Sequence, residues 1–173
     1  MLNGTSGCPS ATGYTCTTVT KPDGSKILYE FLTNALVQQV VYDTNGTTVL
    51  DTWNYCYQTI YANCNGTGAN LTNPSYITAE RTVPGVASNA QVVTDYDTYG
   101  NVTETDYYDY GPTLVCKAVI TYGNWNGSSC AGKPGHAKNT LCEIDGEDSS
   151  GTVLARTRYN YNTSTGDLLN LWL

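Results

Sequence analysis

Residues 92–110 read VVTDYDTYGNVTETDYYDY, and that stretch limits what this chain can become. At its centre Tyr96-Asp97-Thr98-Tyr99-Gly100-Asn101 is a turn, because Asp bonds its own neighbouring backbone and Gly accepts positive φ. Strand-forming residues flank it on both sides, so it predicts a β-hairpin. The same wording returns at Tyr42-Asp43-Thr44-Asn45-Gly46-Thr47. It returns again, with one extra residue and Asn in place of Asp, at Tyr161-Asn162-Thr163-Ser164-Thr165-Gly166-Asp167. The turn positions are therefore Tyr42, Asp43 and Gly46; Tyr96, Asp97 and Gly100; and Tyr161, Asn162 and Gly166. A chain that keeps reversing direction between strand formers is confined to antiparallel pairing. We expect an all-β hairpin meander with little or no helix.

Composition agrees. Only 13% of residues are charged, while Thr, Asn, Gly and Tyr are abundant, a profile of strands and tight turns. Residues 1–14 read as an irregular entry segment. Strands are expected at 15–20 and 26–33 around Lys21-Pro22-Asp23-Gly24-Ser25, at 35–42 and 48–61, and at 76–83. Further strands are expected at 90–96 and 103–110, at 113–122, at 139–145 and 152–161 around a loop at 146–151, and at 167–173. Residues 63–75 and 123–138 read as long surface loops. The whole, 1–173, has the length of one module or of a slice from a longer repeat array.

A net charge of −7 with only 8 Lys and Arg argues against a phosphate-binding surface, so nucleic acid is not an expected partner. The scattered carboxylates suit a solvated surface. No window reaches the apolar length that spans a bilayer, and the first residues have neither the basic start nor the apolar stretch of a leader. An extracellular chain would then have lost its leader or carry it on a longer parent.

Seven cysteines without a Cys-x-x-Cys point to an oxidising compartment. Cys8 with Cys16, Cys56 with Cys64 and Cys130 with Cys142 are candidates for local disulfides, which leaves Cys116 over.

Candidates for chemistry are few. The lone His136 lies in a Gly- and Pro-containing loop with no neighbouring nucleophile pattern, and a zinc site from Cys130, His136 and Cys142 has the residue types without the usual spacing. Asp145, Glu147 and Asp148 offer oxygens around Gly146 without calcium-loop spacing. Asp95 with Asp97 and Glu104 with Asp106 are the pairs a glycosidase-like enzyme would need. Trp53, Tyr55 and Tyr57 alternate along one strand, so they share a face, either packed or open for stacking on sugar rings. Seven Asn-x-Ser/Thr triplets begin at Asn3, Asn45, Asn65, Asn70, Asn101, Asn126 and Asn162. They read first as turns and only in a glycosylating host as acceptors. No cofactor motif is present.

Thr18-Val19-Thr20-Lys21-Pro22-Asp23-Gly24-Ser25 with Tyr29, and Tyr96 to Thr103, resemble the Rhs or YD-repeat family. The second segment fits its Tyr-Asp-x-x-Gly-x-hydrophobic-Thr pattern, and the Tyr42 and Tyr161 words fit it in part. The resemblance implies a strip of hairpins that in full-length bacterial relatives and animal teneurins coils into a hollow shell. In bacterial members that shell encloses a C-terminal toxin, and neither the self-cleaving junction nor the toxin domain is recognisable here. The functional expectation is a non-catalytic structural module, extracellular or at the cell surface. Its expected partners are other copies of itself or further repeats of a parent chain, met through edge strands such as 167–173. A carbohydrate-binding domain using Trp53, Tyr55 and Tyr57 is the alternative, and a glycosidase-like enzyme the third reading.

Overall fold

The computed structural model describes residues 13–58, 71–132 and 139–173, together with the backbone of residues 2–4. Among them there is no helix. Fourteen strands follow in chain order: β1 (Leu2–Gly4), β2 (Tyr14–Thr20), β3 (Lys26–Leu32), β4 (Ala35–Tyr42), β5 (Val49–Tyr57), β6 (Tyr76–Thr82) and β7 (Ala90–Tyr96). The rest are β8 (Val102–Tyr108), β9 (Leu114–Tyr122), β10 (Asn124–Trp125), β11 (Cys130–Ala131), β12 (Leu141–Asp148), β13 (Val153–Tyr161) and β14 (Leu168–Trp172). The all-β meander is therefore the fold.

The turns explain it. Lys21, Asp97 and Asp148 each donate their N–H to the carbonyl four residues on and accept from the glycine three residues on, at 2.9–3.1 Å. This is the three-residue hairpin loop that closes on a glycine bulge. Gly24, Gly100 and Gly151 hold φ of 89°, 80° and 83°, which a Cβ would oppose. The Asp43 and Asn162 loops are one residue longer: Asp43 N–H reaches Thr48 O and Asn162 N–H reaches Asp167 O, both within 2.9 Å. Five hairpins thus share one turn chemistry in two lengths.

The chain divides into two compact units, with the division falling inside β7. The first comprises Met1–Val92 with Asp109–Gly111. In it β1 to β6 run in chain order, each antiparallel to the next. Registers align Cys16, Glu30, Gln38, Asn54 and Glu80 in one row across five strands. Cys16, Glu30, Val40, Cys56, Thr78 and Glu80 are the buried side chains of this unit, and register and alternation place all six on that face. The face is short of hydrocarbon. Cys16 and Cys56 are each disulfide-bonded, and cross-links of this kind supply what a thin core does not. Their expected partners Cys8 and Cys64 lie outside the described residues.

The second unit comprises Val93–Tyr108 and Pro112–Leu173. Here β8, β9, β12, β13 and β14 are sheet neighbours in that order, all antiparallel, and β10 pairs with β11 as a separate small hairpin. The Cys130–Cys142 disulfide ties that hairpin to β12, as its spacing suggested, so these sulfurs do not serve as zinc ligands. Cys116 is the free cysteine among the described residues.

Three expectations are corrected. Residues 1–14 are not wholly irregular: Leu2–Gly4 pair with residues 17–19 of β2, and Tyr14 opens that strand. Residues 123–138 are not only a loop, since β10 and β11 lie within them. Residues 146–148 continue β12 instead of looping, so the turn is confined to Asp148–Thr152. Gly146 stays in the strand because Ala118 and Ala155 on either side both pair with it; the register then shifts at a bulge between Gly146 and Glu147. The expected arm at 48–61 is seen as Val49–Tyr57, with 59–61 outside the described residues.

Candidate functional site

Strand alternation sets Glu143, Asp145 and Glu147 on one face of β12, opposite Arg158, Arg156 and Val153 of β13 and Thr121, Val119 and Lys117 of β9. Opposite charges therefore meet across the ladder. Arg156 forks onto Asp145, with Nε 2.6 Å from Oδ1 and Nη2 2.5 Å from Oδ2. Its Nε also lies 3.7 Å from Glu143, which Arg158 Nε meets at 2.5 Å. Lys117 bridges Glu147 and Glu104 at 3.4 and 3.5 Å. The Asp145 hydrogen bonds raise the Arg156 pKa still further, and the Glu104 charge, with Glu147, raises that of Lys117. A planar guanidinium against a carboxylate fixes register as well as charge.

The second half of β13 is clamped from above. The Arg158 guanidinium stacks 4.0 Å from the centroid of Trp125. Asn124 accepts from Tyr161 N–H at 2.8 Å and donates to Tyr161 O at 3.1 Å, and Asn160 Nδ2 donates to Trp125 O at 2.6 Å. Residues 158–161 are thereby held by β10, β12 and β14 together.

Its first half is open. β14 pairs with β13 only from Arg158 opposite Trp172 to Tyr161 opposite Leu168. The outer edge of residues 153–157 faces a groove of about 530 Å³ lined by residues 153–158, Trp172 and Leu173. Every residue of β14 is exposed, and Leu168, Leu169, Leu171, Trp172 and Leu173 are 44–96% accessible. Among the described residues β14, apolar but for Asn170 and without a charged side chain, is the outermost strand of its sheet.

The carboxylates of the two expected pairs have different surroundings. Asp97 is a turn former, accepting from Tyr99 and Asn101 N–H at 2.8 and 3.0 Å. Glu104 faces Lys117. Asp95 is pushed up from the usual carboxylate range by burial and by Glu104. Asp106 has one oxygen buried without a partner and the other 3.4 Å from the Tyr108 hydroxyl. Asp145, Glu147 and Asp148 are likewise committed, to Arg156, Lys117 and the Ser150–Thr152 turn. Among the described residues no group of three or more His, Cys, Asp or Glu is placed to hold a metal. His136 lies outside them.

Trp53, Tyr55 and Tyr57 share a face as expected, and all three are half-buried. Arg81 lies 5.8 Å from the Trp53 centroid while paired with Asp51 at 3.1 Å. The Tyr57 hydroxyl donates to Leu36 O at 2.9 Å. Both contacts lie within the sheet face that the row occupies.

Three of the seven Asn-x-Ser/Thr triplets are explained by turn geometry. Asn45 Oδ1 accepts from Thr47 and Thr48 N–H, Asn126 Oδ1 from Ser128 and Ser129 N–H, and Asn162 Oδ1 from Ser164 and Thr165 N–H, all within 3.1 Å. Asp23 with Ser25 and Asp148 with Ser150 make the same contact, hydroxyl included. A short acceptor side chain followed two residues later by Ser or Thr is thus a turn word here, with Asp and Asn interchangeable. Asn101 instead donates its Nδ2 to Asp97 at 2.9 Å. Asn65 and Asn70 lie outside the described residues, as does the side chain of Asn3.

Sequence reasoning passed over the ion ladder and the buried Glu30 and Glu80. The ladder had a signal: acids at 143, 145 and 147 and bases at 156 and 158 both keep the period of a strand. No protein-family model matches the chain, and no curated protein matches it.

Proposed function

We propose that this chain is a non-catalytic structural module of Rhs or YD-repeat type that joins hairpin to hairpin in a larger assembly outside the cell or on its surface. The observation that carries this reading is the exposed, charge-free strand β14 on the outer side of a half-paired β13. Each hairpin here buries little by itself, and stacking against the next supplies both ladder bonds and cover. The Cys130–Cys142 disulfide and the bonded Cys16 and Cys56 suit an oxidising location. No helix among the described residues is long and apolar enough to cross a membrane.

Light scattering over a concentration series tests the reading. Particles heavier than the 18.7 kDa chain, growing with concentration, are expected. A single-chain mass throughout overturns it.

A further inference from the structure

We propose that Asn126 is a modification site: the Gly127 backbone nitrogen displaces its side-chain amide and leaves aspartate or isoaspartate at the tip of the β10–β11 hairpin. Asn is a thermolabile residue, and a glycine after it, having no Cβ, leaves the backbone nitrogen open to approach. Two such words lie among the described residues, Asn45-Gly46-Thr47 and Asn126-Gly127-Ser128. Both fold the side-chain carbonyl back over the chain. Asn126 Oδ1 accepts from the N–H groups of Ser128 and Ser129 at 3.0 and 2.9 Å and from the Ser128 hydroxyl at 3.0 Å. Asn45 Oδ1 accepts from Thr47 and Thr48 N–H at 2.8 and 2.9 Å and from the Thr47 hydroxyl at 3.2 Å. Donors on that oxygen polarise the carbonyl and stabilise the charge it takes up when a nucleophile adds.

What differs is the nucleophile. Gly46 N–H is bound to Asp43 O at 2.8 Å, and Lys26 Nζ lies 2.7 Å from the place a Cβ on Gly46 would take. The leaving group is held as well, Asn45 Nδ2 donating to Thr48 Oγ1 at 2.7 Å. Gly127 is exposed, its N–H has no acceptor among the described residues, and nothing lies within 4 Å of its Cβ position. Asn126 Nδ2 reaches Ser129 Oγ at a long 3.4 Å. In the reaction a base from solvent takes the Gly127 N–H proton and the nitrogen bonds to Asn126 Cγ. The Cγ–Nδ2 bond then breaks, ammonia leaves with a proton from water, and a second water opens the resulting ring at either carbonyl. The sum is amide plus water to acid plus ammonia, with no oxidant and no cofactor. Isoaspartate adds a methylene to the backbone where β10 turns into β11, a hairpin of two residue pairs. Because β10 holds Tyr161 N–H through Asn124 and stacks Trp125 on Arg158, the change weakens the clamp on β13.

The test ages the whole chain at mildly alkaline pH and follows amide-to-acid conversion at residues 45 and 126 by peptide mapping, with an isoaspartate assay on the same peptides. A hydrogen bond that must break before attack slows it about tenfold, so Asn126 is expected to convert about tenfold faster than Asn45 in the folded chain. In denaturant, where neither nitrogen is held, the two rates should converge. Hydrogen exchange at the Tyr161 amide should quicken in the aged chain and stay unchanged in aged Asn126→Ser, which keeps a turn acceptor and has no amide to lose. Equal rates at the two sites in the folded chain, an Asn126 that keeps its amide, or the same preference after unfolding overturns the assignment. Tyr161 exchange that ignores conversion overturns the weakening of the clamp.

Discussion

The two units use the same turns and treat their carboxylates in opposite ways. In the first, Glu30 and Glu80 sit on the buried face, 4% and 1% accessible, each with one oxygen that has no hydrogen-bond partner among the described residues. Glu80 has Asn89 Nδ2 on its other oxygen and, among the described residues, forms no ion pair. In the second, the one buried carboxylate among the described residues, Asp145, is forked by Arg156, and its neighbours Glu143 and Glu147 meet Arg158 and Lys117. Burial disfavours a carboxylate's charge, and a guanidinium beside it offsets that cost. Hairpin geometry is therefore indifferent to charge, and each unit solves the burial of its acids separately.

Three sets of substitutions set the units against each other, largest effect first. Replacing Cys130 and Cys142 by serine removes a cross-link across a 12-residue separation and is expected to cost the second unit ~3 kcal/mol. Hydrogen exchange should fall to the loss across β9, β12 and β13 while β2 to β6 keep their protection. Equal loss in both units would erase the distinction. Next, Asp145→Asn breaks the fork while Arg156 can turn to solvent, so about 2 kcal/mol is expected instead of the full penalty of a sealed pair. The double change Asp145→Leu with Arg156→Met should recover most of it in denaturant unfolding. Smaller still are Gly24→Ala and Gly100→Ala, one in each unit and both at positive φ. Each is expected to cost ~1–2 kcal/mol of left-handed strain. Gly24 should cost more, because its new Cβ would lie 3.3 Å from Thr44 O while that of Gly100 meets nothing within 4 Å.

How much of this was legible follows from the range of the forces. The turns were readable because Asp97, Gly100, Asp43, Gly46, Asn162 and Gly166 act on their own neighbours, and the strand order followed once each turn was placed. The Cys130–Cys142 bridge was readable for the same reason, being local. Gly146 was misread as loop because what keeps it in β12 is pairing with Ala118 and Ala155, distant in sequence. Glu30 and Glu80 gave no warning: each alternates as a surface residue would, and only the register that stacks them with Cys16, Gln38 and Asn54 shows which face is covered. The apolar character of β14 was visible as a run broken only by Asn170, but its exposure depends on where β13 loses its partner.

The smallest effect separates the units most cleanly, because it has a sign. Burial raises the Glu80 pKa, and the Asn89 hydrogen bond only partly opposes this. A group whose pKa is higher folded than unfolded contributes stability that is complete below the unfolded value and fades as pH rises through the folded one. The first unit should therefore loosen between the ordinary carboxylate range and the raised Glu80 value, and Glu80→Gln, which keeps an acceptor for Asn89, should flatten that slope. In the second unit the Asp148 turn is held by the Ser150 hydroxyl and the Ser150 and Thr152 N–H groups, which lower its pKa. Its contribution is present above the unfolded value and lost as pH falls through the folded one. Amide exchange followed from pH 3 to pH 7 in β6 and in the 148–152 turn should thus drift in opposite directions. A parallel drift, or a β6 slope unchanged by Glu80→Gln, would show that Glu80 is ionised where it is buried, and the contrast between the units would fail at its base.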